Sequence, residues 1–166
     1  MDALVSLVPT ADDYARLPVA QALTWGECAA NIAPGEWYLV VFRSILRADA
    51  DKDRLQAYDD FAHADAEQAD GFLHYFKGPL AADGSCLSFC LWNSRAEARA
   101  AAGRPAHREA VAIIGETYEA YTLEFARVRK RDISASLEFE PYDLQPDPAA
   151  GVPAPRTNLG FSPAAS

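Results

Sequence analysis

The chain has 166 residues, 50% of them hydrophobic and 23% charged, with a formal net charge of −9. That composition suits one packed domain with decorations, and it excludes a surface built to neutralise nucleic-acid phosphates, which needs clustered Lys and Arg. No apolar run reaches the roughly 20 residues that span a bilayer, and the N-terminus lacks the basic lead of a signal peptide, so a cytoplasmic protein with neither nucleic-acid nor membrane partner is expected.

Residues 1–35 read as an N-terminal extension, in which Thr10 caps a short helix and Pro18 opens a longer one through Val19, Ala22, Leu23, Ala29 and Ile32, across Gly26. Pro34-Gly35 is a turn, and residues 37–46 follow as the first clear strand. Tyr38, Val40 and Phe42 share one side of it, while Trp37, Leu39, Val41 and Ile45 share the other. Apolar residues on both faces predict a central strand covered on both sides, with Arg43 the exception. Residues 51–67 form an amphipathic helix with an inner stripe of Leu55, Tyr58, Ala62, Ala66 and Ala69. Asp49, Asp51 and Asp53 at its start read as caps, because a calcium loop counted from Asp49 would put Arg54 where glycine is needed and Asp60 where glutamate is needed.

Residues 71–77 are a second strand, joined by a long loop to a third at 85–92, where Leu87, Phe89 and Leu91 alternate with Ser88, Cys90 and Trp92. The three cysteines, Cys28, Cys86 and Cys90, make neither a disulfide framework nor a metal site. Cys86 and Cys90 share a strand face about 13 Å apart, too far to bridge. Ser94 and Glu97 form a capping box. Gly103 and Pro105 then break that helix, and a new one carries His107, Val111, Ile114 and Tyr118 at helical spacing. Residues 121–126 are a fourth strand, the basic run at 127–131 a solvated strand end, and residues 134–141 a fifth strand that pairs at an edge or exchanges between subunits. From Gln145 the tail is rich in Pro, Ala and Ser, and its prolines favour extended chain dispensable for the core.

The order βαββαβ predicts an α+β fold, a ferredoxin-like unit at residues 36–131 with both helices on one face of an antiparallel sheet. Residues 132–166 form the C-terminal strand and tail. The other face of the sheet would be bare, and a second subunit packed sheet to sheet is the economical cover, so a homodimer is expected.

No phosphate loop, dinucleotide fingerprint, zinc-protease motif or nucleophile elbow occurs in the sequence. The chemistry then rests on three histidines, since imidazole exchanges a proton near neutrality. His74 lies between Phe72 and Phe76, His107 opens a helix with an apolar face, and His63 falls at the edge of its helix's apolar stripe, facing solvent. His74 and His107 share a pocket between sheet and helices only if His74 points to the helical side; the alternative for each is a hydrogen-bonded or interface histidine. Tyr58, Tyr75, Phe89 and Trp92 wall an aromatic pocket or pack a core. Arg43 holds a substrate carboxylate or phenolate, or closes a charge pair.

The strand ending in Trp92, the acidic, alanine-rich helix start at 93–98, the segment Arg104-Pro-Ala-His107 and the strand Gly71-Phe-Leu-His-Tyr-Phe76 together resemble the antibiotic biosynthesis monooxygenase family over residues 36–129. Members of that family are dimeric α/β barrels with a ferredoxin-like subunit. The resemblance implies oxidation of a phenolic or polyaromatic substrate by dioxygen with no metal or flavin. His74 or His107 would be the base, and Arg43 would stabilise the anion. Relatives in the superfamily bind haem, which makes haem the alternative cofactor, but their ligand histidine falls near Val111, one turn beyond His107. A third reading, from another class, is a non-catalytic ligand-binding or stress-related dimer.

Overall fold

The computed structural model describes residues 2–142, so the Pro-rich tail lies outside the described residues. Helices α1 (Val19–Ala22) and α2 (Trp25–Ala29) precede β1 (Gly35–Leu46), α3 (Lys52–Glu67), β2 (Phe72–Phe76), β3 (Ser85–Trp92), α4 (Arg95–Ala102), α5 (Pro105–Ala112), α6 (Ile114–Thr117), β4 (Tyr118–Lys130) and β5 (Glu138–Pro141). The strands form one antiparallel sheet in the order β2-β3-β1-β4-β5. From β1 to β4 this is the βαββαβ ferredoxin-like arrangement, with β5 added at the outer edge of β4.

Local chemistry accounts for the boundaries. Asp51 caps α3 by accepting the Arg54 N–H at 2.9 Å, whereas Asp49 pairs with Arg47 at 3.0 Å. Ser94 accepts the Glu97 N–H at 3.3 Å and donates to the Glu97 carboxylate at 2.7 Å. That carboxylate fills the place where a Cβ on residue 71 would stand; with φ at +75°, the position requires Gly71. Pro105 occupies the first turn of α5 as its missing donor allows.

The helical run does not continue to Tyr118. Ile113, at φ −91° and ψ −3°, ends α5, and after one turn of α6 the chain is already extended at Tyr118. The break resets the inward phase to Ala106, Ile113 and Thr117, leaving Val111 48% exposed, so the expected stripe is not the buried one. The extension also differs from its expectation. Leu23 is extended and bridges to Pro9, which splits the single helix into α1 and α2, and Thr10 donates to the carbonyl of Gln21 at 2.8 Å rather than capping.

The largest departure concerns what covers the sheet. Leu39, Val41, Leu87, Phe89, Leu91, Ala126 and Val128 line the face away from α3, and they share one core with Leu4, Leu7, Tyr14, Leu23, Trp25, Cys28 and Ile32. The chain's own first 34 residues are therefore the second layer, on the face where a second subunit was expected. Three polar pins hold that layer down. Arg43 donates to the carbonyls of Ala15 at 2.5 Å and Leu17 at 2.8 Å, Tyr14 donates to the carbonyl of Pro79 at 2.6 Å, and the buried Lys130 donates to the carbonyls of Ala29 at 2.5 Å and Ile32 at 2.7 Å. Each satisfies backbone groups that short helices and turns leave unpaired. Elsewhere the basic run is solvated and paired, with Arg129 on Glu36 at 2.9 Å and Arg131 on Glu138 at 3.0 Å. Among the described residues no helix is long and apolar enough to cross a membrane.

Candidate functional site

The face of the sheet beneath the helices is built differently. Strand register places Val40, Phe42 and Ser44 of β1 beside Cys90, Ser88 and Cys86 of β3 and beside Phe125, Leu123 and Tyr121 of β4. All nine are only half-buried, and α3 has no buried residue at all. Near the α4 end this face is closed, with Tyr38, Trp92, Ala98 and Ala101 packed together. Toward Ser44 the cover is incomplete: Phe42, Ser44, Tyr118 and Tyr121 are only half-buried, and this aromatic strip beside α3 is the groove considered as a site.

Asp59 reaches into that groove from α3. Its Oδ1 accepts the Tyr75 hydroxyl at 2.7 Å and its Oδ2 meets Lys77 Nζ at 2.8 Å, while Lys77 also donates to Gln56 Oε1 at 2.7 Å. One turn along α3, the His63 ring lies 4.9 Å from the Tyr75 ring and 6.0 Å from Phe72, while its side chain stays 38% exposed beside Glu67, partly facing solvent as expected. Tyr118 and Tyr121 follow on β4, 5.4 Å apart, and Phe42 lies 6.4 Å from Tyr121. Burial, with the Asp59 charge adding to it, pushes the Tyr118 phenol and the Cys90 thiol up to about 12 and raises Tyr75 and Tyr121 as well. The groove therefore presents neutral phenols and a neutral thiol around one carboxylate.

The site residues expected from the sequence divide between the two faces. Tyr58 and Tyr75 are on the helical side, Tyr58 half-buried beneath the Arg54 guanidinium at 5.7 Å. His107 is also on this side, near Asp65 of α3; burial lowers its pKa, so the imidazole is neutral at pH 7. Trp92 is 5% exposed and stacks edge-on against Phe72 at 5.3 Å, a core residue and not a pocket wall.

Three others point to the sealed side. A bulge at Leu73, where Phe72 pairs with Trp92 but His74 with Leu91, turns His74 away from the helices, and its ring sits 5.9 Å from Phe89. His74 and His107 are thus on opposite faces and share no pocket. Phe89 is fully buried between Trp25, at 5.2 Å, and Phe76, at 5.3 Å, out of a substrate's reach. The guanidinium of Arg43 is engaged by two carbonyls and by Glu124 at 2.5 Å, which commits each of its three nitrogens and makes it a pin of the N-terminal layer.

Asp59, Lys77, Tyr118 and Tyr121 were not singled out from the sequence. A signal existed for Asp59, which stands four residues after Leu55 and three before Ala62, an acid on the inner stripe of an amphipathic helix. A separate cleft of about 350 Å³ between α4 and the turn that follows α3 is lined by alanines with Asp70, Glu97 and Arg104, but Glu97 is held by Ser94 and Arg104 by Asp65 at 2.6 Å.

Solved structures with a related fold include SnoaB, a cofactor-independent oxygenase from Streptomyces nogalater, at 14% identity over 59% of this chain and 95% of that one, with a TM-score of 0.45. Rv0793 from Mycobacterium tuberculosis is similar at 22% identity over 60% of this chain and 99% of that one, TM-score 0.49. A protein of Nitrosomonas europaea provisionally named an antibiotic biosynthesis monooxygenase is similar at 11% identity over 55% and 88%, TM-score 0.48. No curated protein matches the chain. Residues 1–141 match the model of the PB2B2.08-like family, and the chain belongs to that family.

Proposed function

We propose that this protein is a small-molecule oxidoreductase of the monooxygenase kind, which holds an electron-rich phenolic or polyaromatic substrate in the groove between α3 and the sheet. The observation that carries the reading is the half-exposed aromatic face, with Asp59 and Tyr75 hydrogen-bonded at 2.7 Å beside it, on a sheet whose other face is sealed. A planar ring would lie against Phe42 and Tyr121, desolvated on one side. The reading uses no resident cofactor, following the family that the sequence resembles. An activated ring methylene becomes a carbonyl, dioxygen supplies that oxygen, and its second atom leaves as water with the two methylene hydrogens.

The chain's task is then to orient the substrate and accept a proton while its anion forms. His107, neutral through burial and on the helical side of the sheet, is the base of this proposal. Dioxygen uptake with a hydroxyanthrone, read against spontaneous oxidation, tests it. Enzyme-dependent uptake that falls at least tenfold in His107→Gln is the expected result. Uptake no faster than background across a panel of hydroxyanthrones and quinols would remove the oxygenase reading.

A further inference from the structure

We infer that Asp59 and Lys77 lock Tyr75 as a hydrogen-bond acceptor toward the groove, so that the site selects aromatic ligands carrying a hydroxyl over ligands offering only acceptor oxygens. This deepens the proposed function by naming the ligand class of the same groove.

The hydrogen-bond inventory around Tyr75 sets this preference. A phenol has one proton to donate and lone pairs to accept with. The Tyr75 proton is committed to Asp59 Oδ1 at 2.7 Å. Asp59 has no proton to return, because a carboxylate only accepts, and its second oxygen, Oδ2, is already taken by Lys77 Nζ at 2.8 Å. Lys77 is itself fixed by Gln56 Oε1 at 2.7 Å. Among the described residues no other hydrogen bond reaches the Tyr75 oxygen, and its remaining capacity is for accepting. A bound hydroxyl satisfies it. A carbonyl or ether oxygen in the same place sets acceptor against acceptor and leaves both unpaired, which costs more than an absent hydrogen bond. A reduced, hydroxylated ring is therefore held more tightly than its oxidised, carbonyl-bearing product.

The same inventory predicts how the preference can be removed. In Asp59→Asn, Lys77 has only donors, so the new amide must turn its oxygen to Lys77 and its NH₂ to Tyr75. Tyr75 then accepts from residue 59 and points its own proton into the groove. The hydroxyl preference should be lost, because a ligand carbonyl and a ligand hydroxyl can both accept that proton.

Dissociation constants of 2-naphthol, 2-methoxynaphthalene and 1,4-naphthoquinone, measured on the full chain by calorimetry, test this. For the unmodified protein 2-naphthol should bind about tenfold more tightly than its methyl ether, the value of one hydrogen bond. Tyr75→Phe should bring that ratio near one by weakening 2-naphthol alone. Asp59→Asn should raise the affinity of the quinone relative to 2-naphthol. Equal binding of naphthol and ether by the unmodified protein, no binding of either at millimolar concentration, an unchanged ratio in Tyr75→Phe, or an unchanged quinone-to-naphthol ratio in Asp59→Asn would each overturn the inference. If Asp59→Asn does not fold, the Tyr75→Phe ratio decides alone. These are binding measurements, so absence of turnover would sink the oxygenase reading and leave this one standing.

Discussion

The two faces of one sheet differ in how they are covered. On the face away from α3, Leu39, Val41, Leu87 and Phe89 are fully buried beneath the chain's own N-terminal residues. On the other, Val40, Phe42, Ser88 and Cys90, interleaved with them on the same strands, stay half-exposed beneath α3. Alternation puts successive residues in opposite environments, so a single strand contributes both to a sealed core and to a groove. The difference teaches that apolar patterning on both sides of a strand reports burial without naming what does the burying. Here both covers are intrachain, one pinned and complete, the other leaving the strand residues beneath it half-buried.

The largest effect should come from removing the sealing layer. Deleting residues 1–34 bares the apolar face and should abolish a cooperative thermal transition; a truncated chain that melts as cooperatively as the full one, with no change of oligomeric state, would show the layer to be ornamental. A soluble truncated dimer would mean instead that a second copy can replace the layer.

Point substitutions sharpen the contrast. Phe89→Ala should cost about 3–5 kcal/mol as a core cavity, against on the order of 1 kcal/mol for Phe42→Ala on the half-exposed face. Equal losses in chemical denaturation would erase the distinction between the faces. Lys130→Met keeps the apolar stem but strands the carbonyls of Ala29 and Ile32, for an expected loss of about 1–3 kcal/mol without change in ligand affinity.

The architecture was legible where a local signal is strong. Period-two runs located β1 and β3, Ser94 with Glu97 marked the start of α4, and Pro105 marked that of α5. The facing of β2 was not legible, because the extra residue at Leu73 inverts every assignment after it and a bulge leaves no reliable mark in five residues. The N-terminal layer was missed for another reason. Its helices are too short to show a 3.6-residue period, and its anchors, Arg43 and Lys130, lie far off in sequence. Only part of the candidate site was visible: His107, Tyr58 and Tyr75 were named, the two tyrosines as pocket wall or core, while Asp59 went unnamed in a helix with several acids.

The smallest expected effect is on the pH dependence of stability. Burial holds His107 below the ordinary histidine range, and burial with the nearby His63 does the same for His74. A histidine whose folded pKa is depressed leaves the unfolded chain binding more protons below about 6.5, so stability is full above that pH and declines as pH falls through it. The melting temperature should drop between pH 7.5 and 5.5, by less in His107→Gln or His74→Gln. A flat profile in the unmodified chain would place both rings in water.

The division of the sheet into a sealed face and a binding face is tested most directly by intermolecular nuclear Overhauser effects from bound 2-naphthol. Contacts to the rings of Tyr75 and Tyr121, with none to Trp25 or Phe89, are the predicted result; contacts to Trp25 or Phe89 would contradict it.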